Sequence, residues 1–312
     1  MACCVGSYVI ILLILCNISY SNVAVIHYTN NYSVRIGGNT YHQFHNFDFN
    51  APHDIIFLGA SKAMKAYNPE IFNQSGLNTY NLGSHVQDPE NSYEIVKHYL
   101  NSSNCKQIFY EITDGLYSQP LVPSTQSDID LVTNTPGNGV AMDILFRNFD
   151  PKLINIYSIR ELQLNPIAFQ AEPAYKGLGF VGRLHSLSLL NRKELQTGKQ
   201  RPTDNVVWDK QSISDLKALI ELIKSKNIQL IGIYGPVSTY YSDKRTAQYV
   251  DYMRDIFNSY GCEFWDLSRL PGIEDKTHYS DLSHLNKAGA DIFSDTIVKR
   301  IQQRNTTGRE FR

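Results

Sequence analysis

Two stretches of the sequence, more than two hundred residues apart, carry side chains whose types and spacing suggest chemistry. Ser61 ends the stretch 54–61, and Asp281 and His284 lie within the stretch 279–293. A serine hydroxyl is a weak nucleophile that needs a neighbouring base, and an imidazole with a pKa near neutrality suits that task. Asp281 precedes His284 by three residues, so on one helical turn its carboxylate would face the imidazole. These residues predict a Ser-His-Asp site for acyl transfer, which is defined by geometry and not by adjacency in sequence.

Each of these residues also has an ordinary structural interpretation. Ser61 would suit the cap of the helix that follows it, and Asp281 with His284 would suit the cap of the last helix. Gly83 ends a second strand, where it either forms a simple turn or lets a backbone N–H approach a ligand closely. We expect the N–H groups of Ser61 and Gly83 to form the oxyanion hole that such chemistry requires.

Three more side chains are expected to line a cleft around this site. Asp114 follows a third strand, but an ionised carboxylate cannot donate a hydrogen bond to an oxyanion. His85 and His278 lie close in sequence to Gly83 and Asp281. No Cys-x-x-Cys pair or Cys/His spacing typical of zinc is present, so we expect neither a metal nor a cofactor.

Short apolar runs alternate with amphipathic helical patterns along most of the chain. The predicted strands are 55–58, 79–82, 107–112, 228–234 and 263–266. Such alternation predicts an α/β fold, a three-layer α/β/α sandwich around a five-stranded, mostly parallel sheet. Ligands bind at the carboxyl ends of the strands in such sheets, which is where Ser61, Gly83 and Asp114 fall. Residues 113–207 are predicted to be a helical insertion between the third and fourth strands that caps the site.

The composition is that of a globular protein large enough to bury a full core. The chain has 312 residues, 42% of them hydrophobic, and a formal net charge of −1. A charge so close to zero gives no global field that favours nucleic acid. We therefore expect no nucleic-acid partner.

The N-terminus has the character of a targeting segment. Residues 1–26 contain no Lys, Arg, Asp or Glu, and residues 8–16 are continuously apolar. This pattern predicts a signal peptide or an N-terminal membrane anchor, and a buried strand or helix is the structural alternative. The expected organisation is then a connector over 27–52, the α/β domain over 53–304 and a tail over 305–312, with the bulk of the chain outside the cytoplasm.

Three blocks of the sequence together resemble a known superfamily. They are Gly59-Ala-Ser61, Asn81-Leu-Gly83, and Asp281-Leu-Ser-His284 followed by Leu-Asn-Lys-Ala-Gly289. Over residues 50–304 the chain resembles the SGNH (GDSL-like) hydrolases. It is most similar to their membrane-anchored, extracytoplasmic branch, which includes teichoic-acid D-alanyl transfer and alginate O-acetylation proteins. The resemblance implies that Ser61 is the nucleophile, Gly83 an oxyanion donor, His284 the base and Asp281 its partner.

One block departs from the pattern of that superfamily. An asparagine after the third strand usually completes the oxyanion hole, whereas residues 111–115 here read Glu-Ile-Thr-Asp-Gly. Loss of one such donor costs about 10²–10³ in rate. The missing asparagine therefore leaves two expectations open, which are an active enzyme and one whose catalytic rate is strongly reduced.

The residues and the resemblance lead to two expectations about function. The first is an exported serine esterase or O-acyltransferase that acts on acyl esters of cell-envelope or extracellular polysaccharide. Its substrate would be an acylated carbohydrate or another ester, and a membrane-bound acyl-transfer protein would be its partner. The alternative is a catalytically weak or inactive envelope protein that binds glycan or scaffolds an acyl-transfer complex.

Overall fold

One parallel sheet of five strands forms the centre of the molecule. The computed structural model describes residues 2–17, 19–20, 23–24, 31–119, 125–162, 171–197 and 202–306. The five strands are β3 (His53–Gly59), β4 (Thr79–Asn81), β5 (Cys105–Glu111), β6 (Gln229–Tyr234) and β7 (Glu263–Asp266). They lie in the order β4-β3-β5-β6-β7, and each neighbouring pair is parallel. The predicted α/β class and five-stranded sheet are confirmed. A separate two-residue antiparallel pair joins β1 (Ser19–Tyr20) to β2 (Val23–Ala24).

Helices cover both faces of the sheet. The described helices are α1 (Ala2–Asn17), α2 (Asn31–His45), α3 (Ser61–Ala66), α4 (Pro69–Gln74), α5 (Pro89–Tyr99), α6 (Thr125–Asn134), α7 (Gly139–Asn148), α8 (Pro151–Leu162), α9 (Leu189–Thr197), α10 (Lys210–Ser225), α11 (Asp243–Ser259), α12 (Asp275–His278) and α13 (Lys287–Thr306). One apolar cluster packs α2, α5 to α8, α10 and α11 against one face, and a second packs α3, α4 and α13 against the other. The result is the three-layer sandwich that the alternation predicted.

The strand that leads to Ser61 is buried on both faces. Ile55, Ile56, Phe57 and Leu58 of β3 have no exposed side-chain surface, because α3 and α5 cover opposite sides of this central strand. This explains why the strand is a continuous apolar run instead of an alternating one. Each such burial contributes about 1.5–3 kcal/mol, so the position of the strand's carboxyl end is well determined.

The described part of the predicted connector, residues 31–52, packs against the α/β domain. Its helix α2 and the residues that follow bury Phe44 and Phe47 in the core. The Gln43 side chain donates hydrogen bonds to the carbonyls of Asn81 and Gly83, over 2.6 and 2.8 Å. This segment is therefore packed into the domain and supports the end of β4. Aromatic residues in a polar segment were the sequence signal for that packing.

The two chain ends bear on the predicted targeting segment and tail. Helix α1 covers 16 residues of the N-terminal segment. Across the described ranges, no helix combines the length and apolarity needed to span a bilayer. Helix α13 ends at Thr306, so most of the predicted tail lies outside the described residues.

The insertion leaves and rejoins the sheet at one place. The Gln119 N–H donates to the Val207 carbonyl, and the Asp209 N–H donates to the Tyr117 carbonyl, both over 2.8 Å. Helices α6 to α9 lie between these two contacts. These two hydrogen bonds hold the two ends of the insertion together, shortly after the carboxyl end of β5 and next to the predicted site.

Candidate active site

The turn between β3 and α3 presents Ser61 at the carboxyl edge of the sheet. Gly59 has φ = +132°, and a Cβ there would lie 2.8 Å from the Glu111 carbonyl oxygen. Only glycine therefore allows β3 to turn this close to β5. Ser61 is the first residue of α3, whose N-cap Ala60 contributes no side-chain hydrogen bond. The first N–H groups of a helix have no intrahelical acceptor, so those of this turn are available to a ligand.

A loop, and not a helical turn, holds Asp281 against His284. The expectation that these residues share a helical face is wrong, since residues 279–286 precede α13 and are not helical. Asp281 Oδ1 accepts the N–H groups of Ser283 and His284, each over 3.0 Å. The Ser280 N–H donates to the His284 carbonyl over 2.9 Å. The aspartate thus folds the loop that carries its own partner.

The structure brings Ser61, His284 and Asp281 into one hydrogen-bonded row. Ser61 Oγ lies 2.7 Å from His284 Nε2, and His284 Nδ1 lies 2.8 Å from both carboxylate oxygens of Asp281. A carboxylate can only accept, so Nδ1 carries the proton in this row. The unprotonated Nε2 then accepts the Ser61 hydroxyl proton. This arrangement is able to turn a serine hydroxyl into a nucleophile.

The surroundings of the row keep the base neutral and the acid ionised. Burial, together with the charge of Lys65, lowers the pKa of His284 to about 4, although Asp281 acts in the opposite direction. Burial acts to raise the pKa of Asp281, but hydrogen bonding to His284 and the charges of His284 and Lys65 bring it below its usual range. At neutral pH the imidazole can accept a proton, and the carboxylate can stabilise the imidazolium that forms.

The Ser61 environment opens into a cleft of about 430 Å³. Its lining comes from the β3–α3 turn, the β4–α5 loop, both ends of the insertion and the His284 loop, together with the start of α11 and the residues just before it. The lining residues are Ala60, Ser61, Lys62, Val86, Thr113, Asp114, Gly115, Leu116, Ser118, Gln119, Pro202, Tyr241, Arg245, Ser283 and His284. The insertion thus forms one wall of the cleft, and Asp114 lies in that wall as predicted.

Gly83 does not have the environment expected of an oxyanion donor. Its N–H donates to Asn81 Oδ1 over 3.0 Å, and it is not among the residues lining the cleft. A Cβ at Gly83 would lie 2.7 Å from the Ala63 Cβ, so close packing against α3 explains the glycine. Asn81 also donates to the carbonyls of Ala63 and Tyr67. The second block therefore anchors α3 behind Ser61.

The prediction that His85 and His278 line the cleft is not supported, since neither belongs to its lining. Burial, together with the nearby charge of Lys65, lowers the pKa of His85 to about 3. His278 Nδ1 accepts the Glu274 N–H over 2.9 Å. That bond joins the N-cap residue of α12 to the last residue of the same helix, so the ring of His278 stabilises α12.

Glu111, which the sequence interpretation did not single out, packs behind the β3–α3 turn that carries Ser61. It is 2% exposed at the end of β5 and accepts hydrogen bonds from the Tyr67 hydroxyl and the Gly235 N–H. In register it faces Gly59, two residues before Ser61. Burial raises the pKa of Glu111 to about 7, opposed by the charge of Lys62. A lone acid within the apolar strand 107–112 was the available signal.

Lys62 was also missed, although it follows the serine directly. Its side chain lines the cleft and is only 6% exposed. The ammonium lies 5.5 Å from the ring centre of Tyr234 and 5.4 Å from that of Tyr241. Such contacts hold a desolvated cation by attraction to the faces of the rings. A positive charge is thus present beside Ser61.

A group of potential metal ligands lies elsewhere, between α5 and α7. One ligand atom each of Glu94, His98 and Asp143 falls within 4.8 Å of the others. The Lys97 ammonium lies 2.6 Å from the Asp143 carboxylate and 3.5 Å from that of Glu94. This lysine pairs with both acids and offsets one of their two negative charges. The geometry therefore favours an ion-pair network over a metal centre.

The rate of serine modification should depend on pH through His284. We expect modification of Ser61 by a fluorophosphonate to be constant from pH 8 to about pH 5. Below that it should fall as His284 is protonated, because the pKa of His284 lies near 4. Replacing Lys65 with methionine should move the inflection to higher pH, since it removes a charge that opposes protonation. The measurement is the initial labelling rate across pH.

The matched control is Lys299→Met, which removes an exposed lysine paired with Asp295 on α13 and should leave the inflection in place. A wild-type inflection at pH 6.5 or above would contradict the pH prediction. So would equal inflections in the Lys65 variant and the wild type.

Comparison with known proteins gives structural neighbours only. No family model matches the sequence, and no curated protein matches it either. A protein from Desulfitobacterium hafniense DCB-2, described as a lipolytic protein of the G-D-S-L family, is 10% identical with a TM-score of 0.40, covering 79% of this chain and 98% of its own. A protein from Bacteroides fragilis, described as an acylhydrolase, is 11% identical with a TM-score of 0.42, covering 84% and 94%.

A third neighbour is an acetyl-xylooligosaccharide esterase variant from Geobacillus. It is 9% identical with a TM-score of 0.39, covering 81% of this chain and 95% of its own. TM-scores below 0.5 are too low to support an assignment of fold or activity. The site is therefore interpreted from its own geometry.

Proposed function

We propose that this protein is a serine esterase or acyltransferase that forms an acyl-enzyme at Ser61. The observation that carries the proposal is the row from Ser61 Oγ through His284 to Asp281, with contacts of 2.7 and 2.8 Å. It lies in a cleft at the carboxyl edge of a parallel sheet, where α/β proteins bind ligands. The neutral imidazole and ionised carboxylate at neutral pH support the same roles.

The reaction follows from these positions. Ser61 Oγ attacks the carbonyl carbon of an ester while its proton passes to His284 Nε2. The negative charge that develops on the carbonyl oxygen is stabilised by the Ser61 N–H at the uncapped start of α3. The ester C–O bond then breaks, His284 returns the proton to the leaving alkoxide, and Ser61 is acylated. Water or an alcohol, deprotonated by His284, attacks the acyl carbonyl carbon. The bond from that carbon to Ser61 Oγ then breaks, His284 returns the proton to Ser61 Oγ, and the acid or the new ester is released.

The finer proposal concerns location and substrate. We propose an exported protein, anchored or secreted, that acts on acyl esters of cell-envelope or extracellular polysaccharide. The apolar, uncharged character of residues 1–26 supports export. The resemblance to extracytoplasmic SGNH proteins supports polysaccharide as the substrate and a membrane-bound acyl-transfer protein as the partner. The insertion wall of the cleft would shield an acyl-enzyme from water, which suits transfer to a sugar hydroxyl.

A second candidate function is a weakly active or inactive protein that binds glycan or scaffolds an acyl-transfer complex. One observation favours it, which is the limited supply of oxyanion donors. The Gly83 N–H is already donated to Asn81, and residues 111–115 contain no asparagine. In this case the cleft would bind a ligand without forming a covalent bond.

Covalent labelling separates these two functions. The full chain is treated with a fluorophosphonate probe, and the adduct is located by mass spectrometry. We expect labelling at Ser61 that is lost in His284→Ala, because the serine is activated by that base. His278→Ala is the matched control, since His278 caps α12 outside the cleft, and it should label like the wild type. Absence of a Ser61 adduct in folded protein, or equal labelling of His284→Ala, would instead favour the binding function.

A further inference from the structure

We infer that Asp114 and Arg245 form a subsite for a neutral hydroxyl group of the substrate, such as a free hydroxyl of a partly acylated sugar or polyol. The inference rests on the proposed function, because it concerns the part of the substrate that is not cleaved. Both residues line the same cleft as Ser61 and His284. Asp114 is 6% exposed and Arg245 is 5% exposed. Charges so deeply buried need partners.

Most of the polar atoms of this pair are already held by the protein. The Tyr234 hydroxyl donates to Asp114 Oδ1. Arg245 Nη1 donates to the Thr203 carbonyl over 2.9 Å, and Nη2 donates to Ser118 Oγ over 3.2 Å. The guanidinium also lies 5.2 Å from the ring centre of Tyr249. Neither side chain is free to turn away from the cleft.

One carboxylate oxygen of Asp114 and one guanidinium nitrogen of Arg245 make no hydrogen bond to the described residues, and these two atoms lie next to each other. Asp114 Oδ2 and Arg245 Nε are buried without a hydrogen-bond partner among the described residues. They form an ion pair over 3.6 Å, a separation that is too long for a direct hydrogen bond. A third buried atom without such a partner, Thr113 Oγ1, belongs to the lining of the same cleft. The residues of this wall therefore hold one acceptor, one donor and one hydroxyl that the described residues leave without a hydrogen bond.

The chemistry of this gap selects the kind of group that binds there. A hydroxyl oxygen accepts one hydrogen bond and donates another, so it can accept from Nε and donate to Oδ2. A carboxylate or phosphate would meet the charge of Asp114, and an ammonium would meet that of Arg245. A neutral hydroxyl therefore fits both atoms. With its hydroxyl bound there, a polyol ester would share the cleft with the Ser61 hydroxyl.

Binding to a protein that cannot react tests the subsite apart from the reaction. The full chain carrying Ser61→Ala is titrated with methyl β-D-glucopyranoside and, separately, with its per-O-methylated form, and dissociation constants are measured by NMR. We expect the free glycoside to bind at least about tenfold more tightly, because the methylated form cannot donate to Asp114. In Asp114→Asn the free glycoside should bind about tenfold more weakly.

Two further variants keep the test decisive. Thr113→Val removes a hydroxyl that has no hydrogen-bond partner among the described residues, so folding should be retained while glycoside binding weakens. Asp251→Asn is the matched control, since it removes the acid of an exposed Arg-Asp pair with a 2.9 Å contact to Arg254. It should bind the glycoside like the Ser61→Ala parent.

Three results would overturn the subsite. They are equal binding of the two glycosides, unchanged binding in both Asp114→Asn and Thr113→Val, or no detectable binding of either glycoside, which would mean that the gap holds only ordered water. Failure of the proposed function is a different result, namely absence of a Ser61 adduct. The two failures are therefore distinguishable.

Discussion

Replacing Ser61 with alanine is expected to lower kcat for ester turnover by about 10⁵–10⁶. The reason is that no acyl-enzyme can form without the hydroxyl that lies 2.7 Å from His284 Nε2. Binding and oxyanion stabilisation alone would leave only the residual rate. The measurement is kcat with a chromogenic acetate ester, under conditions where thermal unfolding shows the variant to be folded.

The control for this substitution is a serine that lies away from the cleft. Ser225 is at the end of α10 and donates its hydroxyl to the Leu222 carbonyl over 2.8 Å. Ser225→Ala should retain the wild-type kcat. A Ser61→Ala variant that keeps more than a hundredth of the wild-type rate would show that another group is the nucleophile.

Replacing Asp281 with asparagine should lower kcat by about 10⁴ while the loop stays folded. An asparagine oxygen can still accept the N–H groups of Ser283 and His284, so the hydrogen bonds that shape the loop are retained. Its amide nitrogen, however, is a donor, and would favour the tautomer of His284 in which Nδ1 accepts. Nε2 would then carry the proton and could not accept one from Ser61. Steady-state kinetics and thermal unfolding are measured together.

Asp281→Ala separates the effect on the tautomer from the effect on the loop. Alanine accepts neither N–H group, so this variant should lose stability as well as rate. If Asp281→Asn loses less than tenfold in kcat, the carboxylate does not orient the base. If the asparagine and alanine variants lose the same stability, the loop interpretation is wrong.

The charges around Ser61 give the site a character that its three central residues do not reveal. Lys62 lies in the cleft over two tyrosine rings, and Lys65 lies buried on the same helix. Burial and the charge of Arg183 lower the pKa of Lys65 to about 8. The charge of Lys65 favours the neutral form of His284 and the ionised form of Asp281, and the charge of Lys62 also favours the neutral form of His284. Helix α3 therefore contributes electrostatics to the site as well as its serine.

The sequence by itself determined the fold class and the positions of the five strands of the central sheet. Strands such as 55–58 and 107–112 are largely apolar because both faces of the sheet are covered, and this pattern can be recognised in the amino-acid sequence alone. Ser61 and Asp114 each follow one of these strands, and the carboxyl ends of parallel strands lie at the same edge of a sheet, so the sequence also predicted that the two residues share that edge. Residue types then predicted which side chains would meet, since serine, histidine and aspartate complement each other chemically.

Only the tertiary structure decided how those side chains are held and which neighbours act on them. Asp281 meets His284 through a loop turn, and the Gly83 N–H is taken by Asn81, because local hydrogen bonds compete with the pattern that spacing suggests. Arg245 of α11 reaches the cleft from more than a hundred residues beyond Asp114, its partner there. Such contacts depend on the packing of whole elements against each other, and spacing in one sequence carries no record of that packing.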